Sequence, residues 1–425
     1  MRYLYNIIFY LAVPFILFRL FWRSRKANAY GKRWHERFAY IDVPRTWQNG
    51  LWVHAVSVGE VSAAAPLVKA IRQRYPNLPV VITTMTPTGS ARVKTNFADN
   101  VFHTYVPYDL PTVVRRFLNR VKPCAVMILE TELWPNILRQ SRLRHIPVMI
   151  ANARLSEKSF RGYAKFPKLT QEMLSAVDIL ATHAEADARC FIKLGMEPSK
   201  VSVTGSIKFE IKVPASILEQ AQVLRNFFGQ NRHIWIAAST HQGEDEQILA
   251  AHRRVLQMIP DALLILTPRH PERFDDVYQL AIREGFIVAR RSHSAACRDD
   301  MQVFLGDTMG ELMLFFAASD LAFVGGSLVD TGGHNLLEPA SLGIASISGP
   351  SCFNFVDITQ ILLDCHATLQ VKDSDELAEK VIMLLQDSHT RADMGERGRQ
   401  VIEQNRGALA AHLNLLEEFP LAGRK

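Results

Sequence analysis

Apolar and polar positions divide the chain into an opening apolar run and a long alternating body. Residues 3–18, YLYNIIFYLAVPFILF, carry no charge before Arg19. Beyond residue 50, short β-branched runs alternate with amphipathic helical segments, the pattern of an α/β fold whose parallel strands are buried on both faces. In the first half the predicted strands are LWVHAVS, PVVITTM, CAVMILE, IPVMIANA, DILATHA and VSVTGSI. The segment KFEIKVPASILEQAQVLRNFFGQNR is polar and helical, and after it the rhythm starts afresh with HIWIAAST, ALLILTP, FIVARR, MQVFLGD, LAFVGG and ASISG. Two doubly wound domains of similar size, joined near residues 210 to 230, follow from this pattern. Ligands in such sheets bind beyond the C-terminal strand ends, so a cleft lined by strand-end loops of both halves is expected.

Charge changes the picture only at the amino terminus. Residues 1–50 hold nine Lys/Arg against Glu36 and Asp42, which accounts for the whole net charge of +7. The remaining 375 residues are balanced, which argues against a nucleic-acid-binding stripe. The sixteen apolar residues fall short of the roughly 20 that span a bilayer core, and Leu20, Phe21 and Trp22 extend them if Arg19 snorkels. No small-residue cleavage site follows, only RSRKANAYGKR, so a membrane anchor is expected rather than a signal peptide. Arg23, Arg25, Lys26, Lys32 and Arg33 favour an orientation with the body on the cytoplasmic side, and would attract anionic lipid headgroups. Cys124, Cys190, Cys297, Cys352 and Cys365 are scattered without a CxxC pair and read as reduced thiols of a cytosolic body, with no zinc site.

Candidate chemistry falls at the predicted strand ends. Ser57-Val58-Gly59-Glu60 follows the first strand. S-x-x-E is a capping box, yet a carboxylate there can also take a proton from a hydroxyl nucleophile. Pro66 suggests a helix that starts only near residue 66, leaving Ser57 and Glu60 on a loop where the helix dipole favours the ionised carboxylate. Spacing alone leaves both roles open. Thr88, Gly89 and Ser90, before a helix that carries Arg92, suit an anion or simply a cap. Glu130 and Glu132 stand two apart at a strand end, on one face if the chain stays extended. Asn152, Arg154, Ser156 and Lys208 close the first half. In the second half Ser239, Thr240 and His241 end one strand, and Pro268, Arg269 and His270 the next. In VGGSLVDTGGHNLLEPASLG, glycines 325, 326, 332 and 333 permit close approach of a ligand, His334 and Asn335 open a helix with free amides, and Glu338 is placed for ribose hydroxyls. There is no GxGxxG, P-loop or HExxH.

Taken together, HAVSVGE, TTMTPTGSAR, ETELWPN, NARLS, TGSIKF, TPRHPERF and GGHNLLEPA, in this order behind the apolar run, resemble the transferases of 3-deoxy-D-manno-octulosonic acid (Kdo) that act in lipopolysaccharide assembly. The resemblance spans almost the whole chain. It implies a GT-B glycosyltransferase: two Rossmann-like domains facing across a cleft, with an N-terminal membrane-anchor helix. The implied division is an anchor and basic flank at 1–28, an acceptor-binding domain at 29–212, a domain binding the CMP-Kdo donor at 213–405, and a final helix at 406–425 that crosses back to the first domain. It also implies inverting transfer from CMP-Kdo to a lipid A precursor, with no obligatory metal and no cofactor beyond the donor substrate. Glu60 is the implied general base. Ser57, Gly59, Thr88, Gly89, Arg92, Glu130 and Lys208 fall on the acceptor side and cleft. Ser239, His241, Pro268, Arg269, Gly332, Gly333, His334, Asn335 and Glu338 fall on the donor side. The expected setting is a monomer on the cytoplasmic face of a bacterial inner membrane. The alternatives are a GT-B-shaped epimerase, which calls for no lipid acceptor and no anchor, and a membrane-attached nucleotide-sugar-binding protein without turnover, expected only if Glu60 or the HNLLEP run were lost.

Overall fold

The computed structural model describes residues 1–26, 31–293 and 300–421, with Lys26 described only in its backbone. Cys297 and the expected boundary at residues 28 and 29 lie outside that range. Two compact units account for the chain: Met1–Glu210 together with Arg406–Lys425, and Ile211–Asn405.

The first unit holds strands β1 (Leu51–His54), β2 (Val80–Thr84), β3 (Phe102–Tyr105), β4 (Ala125–Leu129), β5 (Val148–Ala153), β6 (Ile179–Thr182) and β7 (Val201–Val203). All pair in parallel, in the order β3-β2-β1-β4-β5-β6-β7. Successive side chains point to opposite faces. Trp52, Val126, Ile128, Val148 and Ile150 therefore enter one apolar layer, while Leu51, Val53, Met127 and Met149 enter the other. The C-terminal helix Ala408–Leu416 belongs to this unit and gives Ala408 and Leu416 to the second layer.

The second unit holds β8 (Ile234–Thr240), β9 (Leu263–Pro268), β10 (Val288–Arg290), β11 (Val303–Leu305), β12 (Leu321–Val324), β13 (Ser346–Ser348) and β14 (Thr368–Gln370), again all parallel, in the order β10-β11-β9-β8-β12-β13-β14. Each sheet reverses its winding once, between β1 and β4 and between β8 and β12. Those crevices are where a doubly wound fold receives a ligand. Strands β3 and β14 were not legible in the sequence pattern, since both lie at sheet edges and are short and partly polar.

The helix Arg2–Lys26 is long and apolar enough to cross a membrane, and its apolar window is unburied. Its first three turns nevertheless dock on the first unit. Arg2 pairs with Glu172 at 2.6 Å, Tyr5 Oη donates to Asp109 at 3.0 Å, Asn6 Oδ1 accepts from Asn136 Nδ2 at 2.8 Å, and the Tyr10 and Thr112 hydroxyls meet at 2.9 Å. Phe9 and Val13 add apolar contact. An amino terminus on the far side of a bilayer would require all of these to break.

Asp109 is the centre of that junction. Fully buried, it accepts from the amides of Asn136 (2.9 Å) and Ile137 (2.8 Å) at the start of the helix Pro135–Leu143, as well as from Tyr5. Burial raises its carboxyl to about 6, opposed by those bonds. Asp109→Ala strips two helix-end amides of their acceptor and should cost about 2–4 kcal/mol. Thermal unfolding reads this directly; an unchanged midpoint would show that the junction contributes nothing.

Candidate active site

In the first unit β1 runs straight into a helix. Ser57, with φ −117° and ψ 171°, caps Val58–Arg74, and its Oγ accepts from the Glu60 amide at 3.3 Å. The Glu60 carboxylate turns back, accepting from Ser57 Oγ at 2.9 Å and from the Val56 amide at 2.7 Å. The expectation of a helix delayed to Pro66 is therefore wrong. The carbonyl that Pro66 cannot bond belongs to Ser62, an exposed residue, so losing that amide partner strands no buried group and the helix runs through.

The expected direction of the Glu60 shift, toward the ionised form, also reverses. It is 8% exposed, and burial lifts its carboxyl from 4.5 to about 7, with Glu130 and Glu132 adding to the rise and the Val56 and Ser57 bonds opposing it. Desolvation outweighs the helix dipole here. The group is poised near neutrality.

Glu130 and Glu132 leave β4 without staying extended, because Glu130 has φ 57°. Glu130 instead faces Lys208 Nζ at 3.4 Å, and Glu132 accepts from Trp134 Nε1 at 3.0 Å. Lys208 sits on the turn Ile207–Phe209, which is held from behind. Asn152 Oδ1 accepts from the Ile207 amide at 2.9 Å, and the Asn152 amide donates to His412 Nε2 at 2.9 Å. His412 Nδ1 in turn donates to the Ala408 carbonyl at 2.6 Å, which fixes a neutral tautomer, and burial lowers its pKa. Glu210 accepts from the Gly407 and Leu409 amides at 2.8 and 3.1 Å, so the C-terminal helix braces the turn that carries Lys208.

Sequence reasoning missed His412 and His183. The His183 ring, at the end of β6, is held to about 3 by burial, then by Lys208, Arg154 and His412, and its Nε2 finds no partner among the described residues. Thr88, Gly89 and Arg92 are not joined to this group. Thr86 Oγ1 accepts from the Gly89 amide at 3.0 Å and from Thr88 Oγ1 at 3.3 Å, an ordinary cap of Pro87–Phe97. Arg92 is half-buried one turn on, with no hydrogen bond or ion pair among the described residues.

In the second unit the loops after β8, β9 and β12 converge. His241 and His334 stack with centroids 5.1 Å apart, and their Nε2 atoms lie 2.8 Å apart, so a single proton joins two neutral rings. His270 meets His241 edge-on at 5.3 Å. Burial holds His334 to about 4, with His241, Arg269 and His270 pushing the same way. Arg269 follows Pro268, the last residue of β9, and its amide donates to the Thr240 carbonyl at 3.0 Å. Gly332 and Gly333 have φ of 90° and 71°; a Cβ at Gly332 would stand 2.4 Å from Asn354 Nδ2. Ser239, at φ 58°, donates its amide to Thr267 Oγ1 at 3.3 Å.

The helix expected to open at His334 begins only at Leu337 and ends at Ser341. Asn335 precedes it, with Oδ1 accepting from the Leu337 amide at 3.2 Å and Nδ2 donating to Glu338 at 3.3 Å. The first amide is thus already taken, and Pro339 contributes none. Burial raises the Glu338 carboxyl, opposed by Asn335 and Arg269.

The residue that organises this region, also missed, is Glu244. It is fully buried and accepts four backbone amides: His241 (3.0 Å) and Gly326 (2.6 Å) on one oxygen, Ser327 and Leu328 (both 2.9 Å) on the other. One carboxylate ties the loop after β8 to the loop after β12. Among the described residues, no group of three or more His, Cys, Asp and Glu side chains is arranged to hold a metal ion.

Residues 32–211 match the family model described as 3-deoxy-D-manno-octulosonic-acid transferase (kdotransferase). A 3-deoxy-D-manno-octulosonic acid transferase of Haemophilus influenzae is 43% identical over 420 residues, covering 98% of each chain. Among solved structures, a UDP-GlcNAc 2-epimerase from Neisseria meningitidis bound to UDP-GlcNAc aligns with TM-score 0.56 and 15% identity, covering 87% of this chain and 99% of its own. MurG of Acinetobacter baumannii aligns with TM-score 0.53 and 14% identity over 87% and 99%. At such identities the two structures bear on the fold alone.

Proposed function

The chain belongs to the Kdo transferase family, glycosyltransferases of lipopolysaccharide synthesis with a GT-B fold, and we propose that it moves Kdo from CMP-Kdo to a lipid A precursor (lipid IVA) by inverting displacement, with Glu60 as general base. The observation that carries the role of Glu60 is its setting. The carboxyl is buried, titrates near 7, and is aimed by the Val56 amide and Ser57 at the winding reversal of the first sheet. Its ionised form takes the proton of the acceptor hydroxyl as that oxygen bonds to the anomeric carbon of Kdo. The bond from that carbon to the CMP phosphate breaks with its electron pair, and the negative charge stays on CMP. Arg269, His270 and the neutral His241–His334 pair receive that anion on the second unit, with Gly332 and Gly333 giving the backbone room to approach it. The Lys208–Glu130 pair lies beside the base and fits the acceptor side. The proposal needs no metal.

The setting proposed is the cytoplasmic face of a bacterial inner membrane, with a monomer held by the amino-terminal helix and its basic flank. A detergent-solubilised full-length chain given CMP-Kdo and tetra-acylated lipid A precursor should yield acceptor heavier by one or more Kdo units, seen by mass spectrometry. The mass also counts the units transferred. Folded protein that leaves the acceptor mass unchanged would overturn the reading, and an epimerised nucleotide sugar would replace it with the alternative.

A further inference from the structure

Beside the carboxylates of the first unit lies a cavity of about 510 Å³, within the range of ligand pockets. Its inner wall is apolar and buried, with Leu133 and Met173 at 8% and 5% exposure, and its rim carries Phe166, half exposed. Two further lining residues define its surroundings. Glu132, two residues from Glu130, contributes to the raised carboxyl of Glu60, so one wall lies close to the proposed base. Tyr5, pinned by Asp109, brings the amino-terminal helix into the lining.

That helix presents Leu4, Ile7, Ile8 and Leu11 outward, each more than half exposed, while its polar face is bonded to the body. With the helix held as far as Tyr10, the sixteen residues that remain reach about 24 Å at 1.5 Å per residue, short of the roughly 30 Å of a hydrocarbon core. The outer face therefore meets one leaflet, and Tyr5 of the same helix lines the cavity. Among the described residues no Lys, Arg or His lines the cavity, whereas Glu132 does. With an acidic group and no cation in the lining, nothing there pairs a phosphate headgroup, whereas the apolar wall suits a hydrocarbon chain.

We propose that this cavity takes one acyl chain of the lipid acceptor directly from the leaflet and thereby brings the sugar hydroxyl to Glu60. The proposal rests on the transferase reading above and extends it to how the acceptor is held.

Gly162 offers the test. It lies on the helix Glu157–Ala164, lines the cavity, and a Cβ built there meets nothing within 4 Å. Gly162→Trp fills the space without a backbone clash, and Gly162→Ala controls for helix propensity. Acceptors that differ only in acyl-chain length are compared by KM. The wild type and Gly162→Ala should bind longer chains at least tenfold better than short ones, and Gly162→Trp should flatten that dependence. In parallel, a glucosamine-phosphate lipid with a diazirine near the chain end is irradiated with each protein in vesicles, without donor. Crosslinks should map to Leu169 and Met173 and disappear in Gly162→Trp.

Equal chain-length dependence in wild type and Gly162→Trp, or crosslinks confined to Leu4, Ile7, Ile8 and Leu11, overturns the proposal. Competition of the crosslink by bulk phospholipid as effectively as by acceptor assigns the cavity to membrane lipid and overturns it as well. If no acceptor gains Kdo, the transferase reading fails, and the donor-free crosslinks still decide what the cavity holds.

Discussion

Glu60→Gln is expected to leave the fold intact while lowering the transfer rate by about two to four orders of magnitude, the usual worth of a positioned general base. The amide is nearly isosteric. Its oxygen can still accept from the Val56 amide and its nitrogen can donate to Ser57 Oγ, so both halves of the turn stay closed. What it cannot do is take a proton. In the wild type, kcat/KM should fall with unit slope as pH drops below about 7, because protonation of Glu60 removes the base. The residual rate of Glu60→Gln should lack that limb. Stability gives an independent reading. The folded carboxyl at about 7 lies above its ordinary 4.5, so its protonated form is favoured by folding. The stabilisation is complete below about pH 4.5 and is lost as pH rises through 7, where ionised Glu60 costs the folded state about 3 kcal/mol. Glu60→Gln should therefore melt higher than wild type at pH 8.5 and close to it at pH 5. Near-normal turnover in this variant would return Glu60 to the role of a helix cap.

Much of this site was legible in the sequence because a parallel sheet buried on both faces writes its strands as apolar runs, and topology then puts the residues after each run at one sheet edge. Ser57, Glu60, Glu130 and Lys208 meet on that logic, as do His241, Arg269 and His334. The failures share a cause. The start of the first helix was misplaced because the cost of Pro66 depends on which way the Ser62 carbonyl faces, and a one-dimensional pattern does not carry that. The direction of the Glu60 shift was missed because the dipole is local and visible, whereas burial is set by the folded unit and the like charges of Glu130 and Glu132 come from seventy positions away. His412 braces Lys208 from across 204 positions of sequence, through Asn152. In each case the missing quantity is long-range.

Glu244 is the sharpest instance, since its letters, in HQGEDEQ, read as ordinary acids before a helix. Glu244→Ala should be the most destabilising single change in the second unit. It leaves four amides without an acceptor, those of Gly326 and Ser327 buried and those of His241 and Leu328 partly so, and the last three in sequence lie 82 to 84 residues away. An unpaired buried donor costs about 1–3 kcal/mol, and water entering the vacated space would offset part of the total. A loss of more than about 4 kcal/mol is expected, enough to consume much of a typical stability of 5–15 kcal/mol and to lower the melting midpoint by roughly 8–16 °C. Glu244→Gln discriminates charge from geometry. One oxygen still serves one pair of amides, but the new NH₂ faces the other pair, donor against donor, so a loss between wild type and alanine is expected. The functional consequence follows from the same bonds. With the loops after β8 and β12 untied, His241 and His334 lose the register that lets one proton join them, so CMP should no longer raise the melting midpoint even in the fraction that folds. An alanine variant that melts with wild type, or that is still stabilised by CMP to the same extent, would show that the loops hold their places without this carboxylate.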